Sequence, residues 1–488
     1  MRHPHRWLAL FVCAGCTGAP ASDDARPHTQ PADAADEDVG EDAGAAAPPN
    51  IVYIVLDDLD TIAMQHMPKA RALIADEGVE LENYFFTYAV CCPSRTSVLT
   101  GKYPHNHRVL GNSYPRGGFR RLFESGQESS TVAVWLQERG YHTALIGKYL
   151  NQYSQDSDPT YVPPGWSEWF GRAEGAGFYD YSLVENGTLV RYGGKPKDYG
   201  TDVIARKAVA LIERQDTADD QPFFLYLAPA APHGPATSAP RHAELFAGVS
   251  YPRAPSFNEK DVSDKPSWIR AKPRHDADKI RLLERRYRDR LRSLQAADDL
   301  VEDVVAQLTA SGELDNTFII FASDNGFHLG EHRLAGGKRT AYEHDIRVPM
   351  WVRGPGVPRG ETRSHWILNI DLAATMAELA GAEAPITDGV SFRDVLSATP
   401  PPADEWRRDF IVINRYLETD LDDEPDIDAL RSGRYKYIES NGGERELYDL
   451  LTDPHELNSI HATADPALLQ SLRARMMELS ACSGAECW

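Results

Sequence analysis

The run Asn50-Ile51-Val52-Tyr53-Ile54-Val55-Leu56, followed at once by Asp57-Asp58, decides the fold. It has neither the alternation of a half-exposed strand nor the 3.6-residue stripe of a surface helix. It reads as a strand buried on both faces, the kind found in parallel sheets covered by helices on each side. Three further runs repeat the design. Residues 317–322 stop at Ser323-Asp324-Asn325-Gly326, residues 223–228 lead to Pro232-His233, and residues 143–146 lead to Gly147-Lys148. Four strands thus deliver carboxylate, amide, imidazole and ammonium groups just past their C-terminal ends, the edge where ligands bind in open α/β sheets.

Helical spacing fills the intervals at 68–77, 129–139, 200–214 and 278–310, the last with the stripe Leu294, Ala297, Leu300, Val301, Val304, Val305 and Leu308. The Arg-rich part of that segment, 281–292, contains Glu284 and Asp289 and precedes an acidic cluster, so it reads as a solvated helix face rather than a nucleic-acid surface. The predicted class is α/β: a large mixed, mostly parallel sheet flanked by helices over residues 50–384. From 385 the chain turns to Pro- and Asp-rich loops with short strands at 410–413 and 435–438, predicting a smaller α+β C-terminal subdomain over 385–488. No solenoid-type repeat is present.

With 488 residues, 42% apolar and 25% charged, the chain has the profile of a soluble globular protein with a large core, which excludes overall disorder, collagen and a multi-span membrane protein. The net charge, 51 minus 73 or −22, argues against nucleic acid or an anionic membrane as a general partner. An anionic substrate would therefore need a locally basic site. Part of the acidity sits in Asp23, Asp24, Asp33, Asp36, Glu37, Asp38, Glu41 and Asp42, within an Ala/Pro/Gly background that cannot bury enough apolar surface to fold; residues 17–49 read as a solvated tether.

Ahead of it, Arg2 and Arg6, the apolar run 7–12 and Cys13-Ala14-Gly15-Cys16 have the layout of a secretory signal over residues 1–16, too short to span a bilayer. The small pair before Cys16 resembles a bacterial lipobox, whose cysteine is lipidated. The chain is thus expected to be exported, either as a periplasmic or outer-membrane lipoprotein held through Cys16 or as a cleaved, secreted protein. In an oxidising compartment Cys482 and Cys487 either close a small loop or stay as two thiols. Adjacent cysteines such as Cys91 and Cys92 rarely make a good disulfide and need another explanation.

That explanation begins with Cys91-Cys92-Pro93-Ser94-Arg95-Thr96-Ser97-Val98-Leu99-Thr100-Gly101. Pro near the start and Gly past the end predict a short helix over 93–100, with Cys91 at its N-terminus, where free N–H groups and the dipole favour an anion or thiolate. A bare Cys-Pro pair would be a capped helix with buried thiols. Here Cys-x-Pro-Ser-Arg followed by x-x-x-Leu-Thr-Gly resembles the maturation motif of type I sulfatases, in the alkaline phosphatase superfamily. Asp57-Asp58, Ser323-Asp324-Asn325-Gly326, Gly147-Lys148, Pro232-His233, Gly337-Lys338 and Glu446-Leu447-Tyr448-Asp449 with Asp453-Pro454 extend the resemblance over residues 50–460. Cys91-Cys92, the run Leu99 to His107 and Gly147-Lys148-Tyr149-Leu150-Asn151 look most like the branch of N-acetylglucosamine-6-sulfatases and heparan endosulfatases.

The resemblance implies an alkaline-phosphatase-like fold, a formylglycine made from Cys91 by a formylglycine-generating enzyme, and a sulfated carbohydrate substrate. The hydrated aldehyde is a geminal diol: one hydroxyl attacks sulfur, and the other, deprotonated, expels sulfate. Asp57, Asp58, Asp324 and Asn325, with residue 91, would hold a divalent cation; an all-oxygen set suits Ca²⁺ or Mg²⁺, and the resemblance favours Ca²⁺. Arg95, Lys148 and Lys338 would neutralise charge built on the sulfate, and His233 would protonate the leaving alcohol. Lys102 is expected to support the formylglycine pocket, and His328 either to contact substrate or to cap its loop. Leu150 stands where many arylsulfatases have His, so a second acid or base must be supplied differently. The expected activity is hydrolysis of a 6-O-sulfate on an N-acetylglucosamine-type sugar; the rivals are a phosphonate or phosphate monoester hydrolase and a tethered glycan-binding protein with unmatured Cys91.

Overall fold

The computed structural model describes residues 47–155, 158–218, 221–415 and 425–488. The expected signal, Cys16 and the tether as far as residue 46 lie outside them. The last residues assigned to the tether are held: Pro48 and Pro49 carbonyls accept hydrogen bonds from Asn316 Nδ2 (3.4 Å) and Tyr141 Oη (2.8 Å).

Among the described residues, fourteen strands form two sheets. In chain order they are β1 (Asn50–Leu56), β2 (Val79–Phe85), β3 (His142–Gly147), β4 (Glu168–Glu174), β5 (Tyr181–Glu185), β6 (Thr188–Tyr192), β7 (Phe223–Ala228), β8 (Thr317–Ser323), β9 (Arg347–Arg353), β10 (Glu361–Leu368), β11 (Asp409–Asn414), β12 (Ile427–Ser432), β13 (Tyr435–Ser440) and β14 (Arg445–Asp449). The large sheet has the order β10-β2-β9-β8-β1-β7-β3-β4-β5-β6. The pairs β8/β1, β1/β7, β7/β3 and β3/β4 are parallel, while β9 and β5 run against their neighbours. All four strands read from continuous runs lie side by side at its centre. In β1, β7 and β8 every residue is buried, the physical reason those runs lack a polar face.

Helices flank the sheet. We number the longer ones α1 (Cys91–Thr100), α2 (Val132–Glu138), α3 (Gly200–Ala218), α4 (Ala277–Ala310), α5 (Asp371–Ala380) and α6 (Pro466–Ala481). α3 packs against α4, and α5 against α1 and α2. The segment expected as one helix at 68–77 is a short helical turn, Pro68–Ala70, running into a π-turn, Arg71–Ala75. No helix among the described residues is long and apolar enough to cross a membrane.

The second sheet is antiparallel, β11-β12-β13-β14, with α6 packed on β11 and β12. Its core is continuous with the large domain: Phe410 meets Phe85 with ring centroids 4.8 Å apart, and Ile413 N donates to Thr87 O at 2.9 Å. Ala47–Trp488 is accordingly one compact unit rather than two bodies. Cys482 and Cys487 are bonded, and the carbonyl of Cys482 accepts from Asn106 Nδ2 at 3.0 Å. The Lys102-to-His107 stretch therefore also seats the C-terminal loop.

Candidate active site

Chain geometry at two strand ends brings the carboxylates together. After β1 the backbone turns through Asp58 at φ 67, a left-handed posture that a non-glycine residue adopts only when its surroundings fix it. The Asp58 N–H then donates to Asp324 Oδ1 at 3.0 Å, and Asn325 Nδ2 donates to Asp58 Oδ1 at 2.8 Å, so the ends of β1 and β8 form one acidic corner. At the end of β3, Gly147 lets the chain pass close to β7: a Cβ there would stand 2.1 Å from Ala228 O. That close approach brings Lys148 Nζ to 2.6 Å from Asp57 Oδ2.

Helix α1 supplies the reactive end. It starts at Cys91, two residues earlier than expected, because Pro93 lies in the first turn, where its missing N–H costs nothing. All ten of its residues are buried, and it closes at Gly101 in the left-handed conformation. Cys91 Sγ is 3.5 Å from Asp57 Oδ1 and accepts from Lys338 Nζ at 2.7 Å; Lys338 also pairs with Asp58 Oδ1. Arg95, one turn on, donates from Nε to Asp324 Oδ2 at 2.8 Å and from Nη1 to Lys148 O at 2.9 Å. Three carboxylates, Asp57, Asp58 and Asp324, thus face three cations, Arg95, Lys148 and Lys338.

The electrostatics follow from that count. Burial alone would raise the Asp57 carboxyl, but Lys148, His233, Arg95 and Lys338 hold it well below the usual carboxylate range. Asp58, buried too, is brought down to about 2 by Lys338 and His233. Asp324 goes the other way: its burial outweighs Arg95 and leaves it raised. Burial also pushes the Cys91 thiol up to about 11 against Lys148 and Lys338. An unmodified Cys91 is therefore a thiol near neutral pH, a weak nucleophile.

The residues present fit a hard divalent cation. Ligand atoms of Asp57, Asp58, Cys91 and Asp324 lie within 4.8 Å of one another, and Asn325 Oδ1 is buried with no hydrogen-bond partner among the described residues. An enclosed amide oxygen left unpaired beside three carboxylates is what a missing oxygen-ligated ion leaves behind.

The remaining expected residues divide. His233 reaches the cluster's rim: Nε2 is 3.8 Å from Asp58 Oδ2, Nδ1 is 2.7 Å from Gly234 O, and the side chain is 42% exposed. His328 lines the same pocket and is held by Asp345, with Nδ1 at 3.0 and 3.1 Å from its two oxygens. Lys102 is not brought to the cluster. It follows Gly101 at the far end of α1, about 15 Å of helix from Cys91, and its Nζ lies 3.4 Å from Gln127 Oε1. Leu150, at the position of the absent His, is 3% exposed and sits in the apolar core.

The solvated-face reading of 281–292 fits Arg281, Arg285 and Arg286, which are exposed, and fails at Arg290. Arg290 is 1% exposed, donates at 2.6 Å to both Asp58 O and Asp60 Oδ2, and so braces the strand end that carries the carboxylates. The signal was in the sequence, since Arg290 falls on the Leu294, Ala297, Val301 stripe at i, i+4, i+7 and i+11. Arg286, from the same helix, lines a pocket of about 570 Å³ over the cluster, together with Lys272, Arg274, Lys279 and Arg339. No sequence pattern announces this basic wall, because Lys279 and Arg286 come from α4 while Lys272, Arg274 and Arg339 come from loops.

A buried carboxylate corner at the C-terminal edge of a mostly parallel sheet, faced by a helix-borne Cys-x-Pro-Ser-Arg, is a site for an ester of a tetrahedral oxyanion, and together with its likeness to known sulfatases it makes the protein a sulfuric ester hydrolase. The chain belongs to the sulfatase family: the model described as Sulfatase matches residues 49–382, and the one described as N-sulphoglucosamine sulphohydrolase, C-terminal, matches residues 330–481. It is 34% identical over 477 residues to N-acetylglucosamine-6-sulfatase of Capra hircus, spanning 90% of this chain and 84% of that one. It is 37% identical over 501 residues to an arylsulfatase of Volvox carteri, spanning 91% and 76%. A solved protein in complex with its substrate, D-glucosamine-2-N,6-O-disulfate, superposes with a TM-score of 0.76 at 26% identity, over 88% of this chain and 97% of that one.

Proposed function

We propose that this sulfatase is exported and removes the 6-O-sulfate of N-acetylglucosamine-type sugars, using a formylglycine made from Cys91 and a Ca²⁺ ion. The observation that carries the chemistry is the position of Cys91: at the N-terminus of a buried helix, against Asp57 and Lys338 and beneath a pocket with a basic wall. Cys91 Sγ stands where the aldehyde-derived oxygens would be. Formylglycine would supply a hydrate oxygen as nucleophile and a second hydroxyl for release of sulfate. Ca²⁺ held by Asp57, Asp58, Asp324 and Asn325 would supply charge that draws the ester's oxygens and offsets their growing negative charge.

The chain's own groups do the rest. Lys148 and Lys338 aim ammonium groups at the residue-91 position, where they stabilise charge building on the sulfate. Arg95 holds Asp324 and the Lys148 carbonyl, fixing both sides of the cluster. His233, with Nδ1 turned to Gly234 O, leaves Nε2 facing the pocket, where its protonated form can give a proton to the departing sugar oxygen. His328, oriented by Asp345, lines the same pocket and is the group we assign to substrate contact. The sugar assignment draws its support from the relatives' names, from the 6-O-sulfated ligand of the solved neighbour, and from cationic side chains around the pocket mouth that suit an anionic saccharide. The leader-like first sixteen residues support export, with Cys16 lipidation or release as its two forms.

The test is sulfate and phosphate release from a panel of sulfated sugars and phosphate esters, with protein co-produced with a formylglycine-generating enzyme and Cys91→Ala as control. Sulfate from 6-O-sulfated N-acetylglucosamine, absent in the control, is the expected outcome. Phosphate release without sulfate release would move the assignment to the phosphonate and phosphate ester hydrolases. An unmodified thiol at Cys91 in protein from its native host, read by mass spectrometry, would sink the formylglycine mechanism.

A further inference from the structure

A second set of ligand-bearing side chains converges where the loop carrying Lys338 meets the smaller sheet. His332 and His344 flank Lys338 in sequence, and Glu456 follows β14. One ligand atom from each lies within 4.8 Å of those of the other two. His332 is fully buried. Its Nδ1 is 2.7 Å from Glu259 Oε2, and its Nε2 is enclosed with no hydrogen-bond partner among the described residues. His344 Nε2 is enclosed and unpartnered as well, with Asp345 Oδ1 3.9 Å away, beyond hydrogen bonding.

Two neighbouring buried imidazole nitrogens without partners are costly unless something accepts their lone pairs. Glu456 supplies the charge such an occupant would need. Its Oε1 accepts from Lys436 Nζ at 2.7 Å and its Oε2 from Glu343 N at 2.8 Å, which leaves lone pairs on both oxygens. The carboxylate behind His332 is the arrangement that orients metal-bound imidazoles and fixes their tautomer. His344 and Glu456 also line a cavity of about 320 Å³, which gives an ion a way in and leaves a further coordination position open to water. Ligands on a tetrahedral ion at ~2.1 Å stand roughly 3.4 Å apart, a spacing within the separation seen here.

We propose that His332, His344 and Glu456 form a second metal site, for a borderline divalent cation of the Zn²⁺ class, built of imidazole and carboxylate where the reaction cluster is built of oxygens alone. The bound ion ties the segment carrying Lys338 to the C-terminal subdomain, with Glu259 as a positioning residue behind His332.

The experiment uses the full chain, stripped with chelator, saturated with Ca²⁺ to fill the oxygen-rich cluster, and titrated with Co²⁺ as a spectroscopic probe. A single equivalent should bind with the visible bands of imidazole-ligated cobalt, be displaced by Zn²⁺, and persist in Asp58→Asn. The bands should vanish in His344→Ala, and Glu259→Gln should weaken Zn²⁺ binding about 10–100-fold. Failure of the Ca²⁺-saturated wild-type protein to take up Co²⁺ would overturn the proposal without needing any variant. So would bands that survive His344→Ala or disappear in Asp58→Asn. Neither result bears on the sulfatase chemistry, since the readout is metal uptake rather than turnover.

Discussion

Two buried ion clusters both set aspartates against arginine and end in opposite states. Asp371, at the start of α5, accepts four hydrogen bonds: Oδ2 from Leu368 N (2.7 Å) and Arg407 Nη1 (2.5 Å), Oδ1 from Val390 N (2.9 Å) and Arg407 Nη2 (3.0 Å). Nothing on that carboxylate is left to bind a ligand. The cluster at Asp57, Asp58 and Asp324 keeps the Asn325 Oδ1 acceptor enclosed without a partner among the described residues, and it opens on a pocket. The saturated carboxylate holds the chain together; the unsaturated corner keeps acceptor capacity for something else. Charge, burial and an unpartnered guanidinium nitrogen do not separate structure from function here, since Arg407 Nε is also enclosed without a partner among the described residues; satisfaction of the oxygen acceptors does.

The contrast breaks at four points, taken from the largest expected effect to the smallest. Cys91→Ala should remove sulfate release by roughly 10⁵-fold or more while urea unfolding stays close to wild type; a large loss of stability would mean that Cys91 is part of the scaffold. Arg407→Met leaves Asp371 charged and unpaired and should cost about 3–5 kcal/mol in denaturant unfolding, with kcat/KM per folded molecule unchanged. Lys148→Met should lower kcat by about 10²–10³-fold, and an effect on KM alone would remove Lys148 from the transition state. Opening the Cys482–Cys487 loop with Cys482→Ser should cost about 2 kcal/mol with no change in turnover, because the loop seats on Asn106 rather than on the cluster.

Another buried carboxylate sharpens the same point. Glu128 meets only hydroxyls, Tyr161 Oη at 2.8 Å and Tyr149 Oη at 3.4 Å, and burial pushes it up to about 7 in spite of them. With its folded pKa above the unfolded value, the folded state holds the extra proton, so stability falls as pH rises from about 4.5 towards 7. Glu128→Gln should flatten that fall, with a difference from wild type of up to roughly 3 kcal/mol at pH 8, read from unfolding curves at several pH values. An unchanged slope would mean that the carboxylate is solvated in solution.

How much of this was legible in the sequence depends on distance along the chain. The strands at 50–56, 143–146, 223–228 and 317–323 are readable because a strand buried on both faces admits few polar residues, so its ends announce themselves where polarity returns. The functional groups sit at those ends: Asp57 and Asp58, Lys148, His233, Asp324 and Asn325. Arg290 was misread because twelve residues of mixed charge look solvated until the helix phase is followed from Leu294 back to it. Lys102, expected to support the formylglycine pocket, instead lies past the far end of a ten-residue helix, with its Nζ beside Gln127.

By itself, then, the sequence determined the class of fold, the motif at Cys91 and the residue types at the strand ends, because each depends on local periodicity or on chemistry within a few residues. Only the tertiary structure decided which charges meet. The parallel register of β1 against β7 and β8 sets Asp57, Asp58 and Asp324 in one corner. The close pass of Gly147 over Ala228 turns Lys148 into it, and the loop over 326–346 brings Lys338 in while carrying His332 and His344 to Glu456. Those meetings join residues far apart in the chain, 91 positions for Lys148 with Asp57 and 280 for Lys338 with Asp58, and no local pattern encodes such a distance.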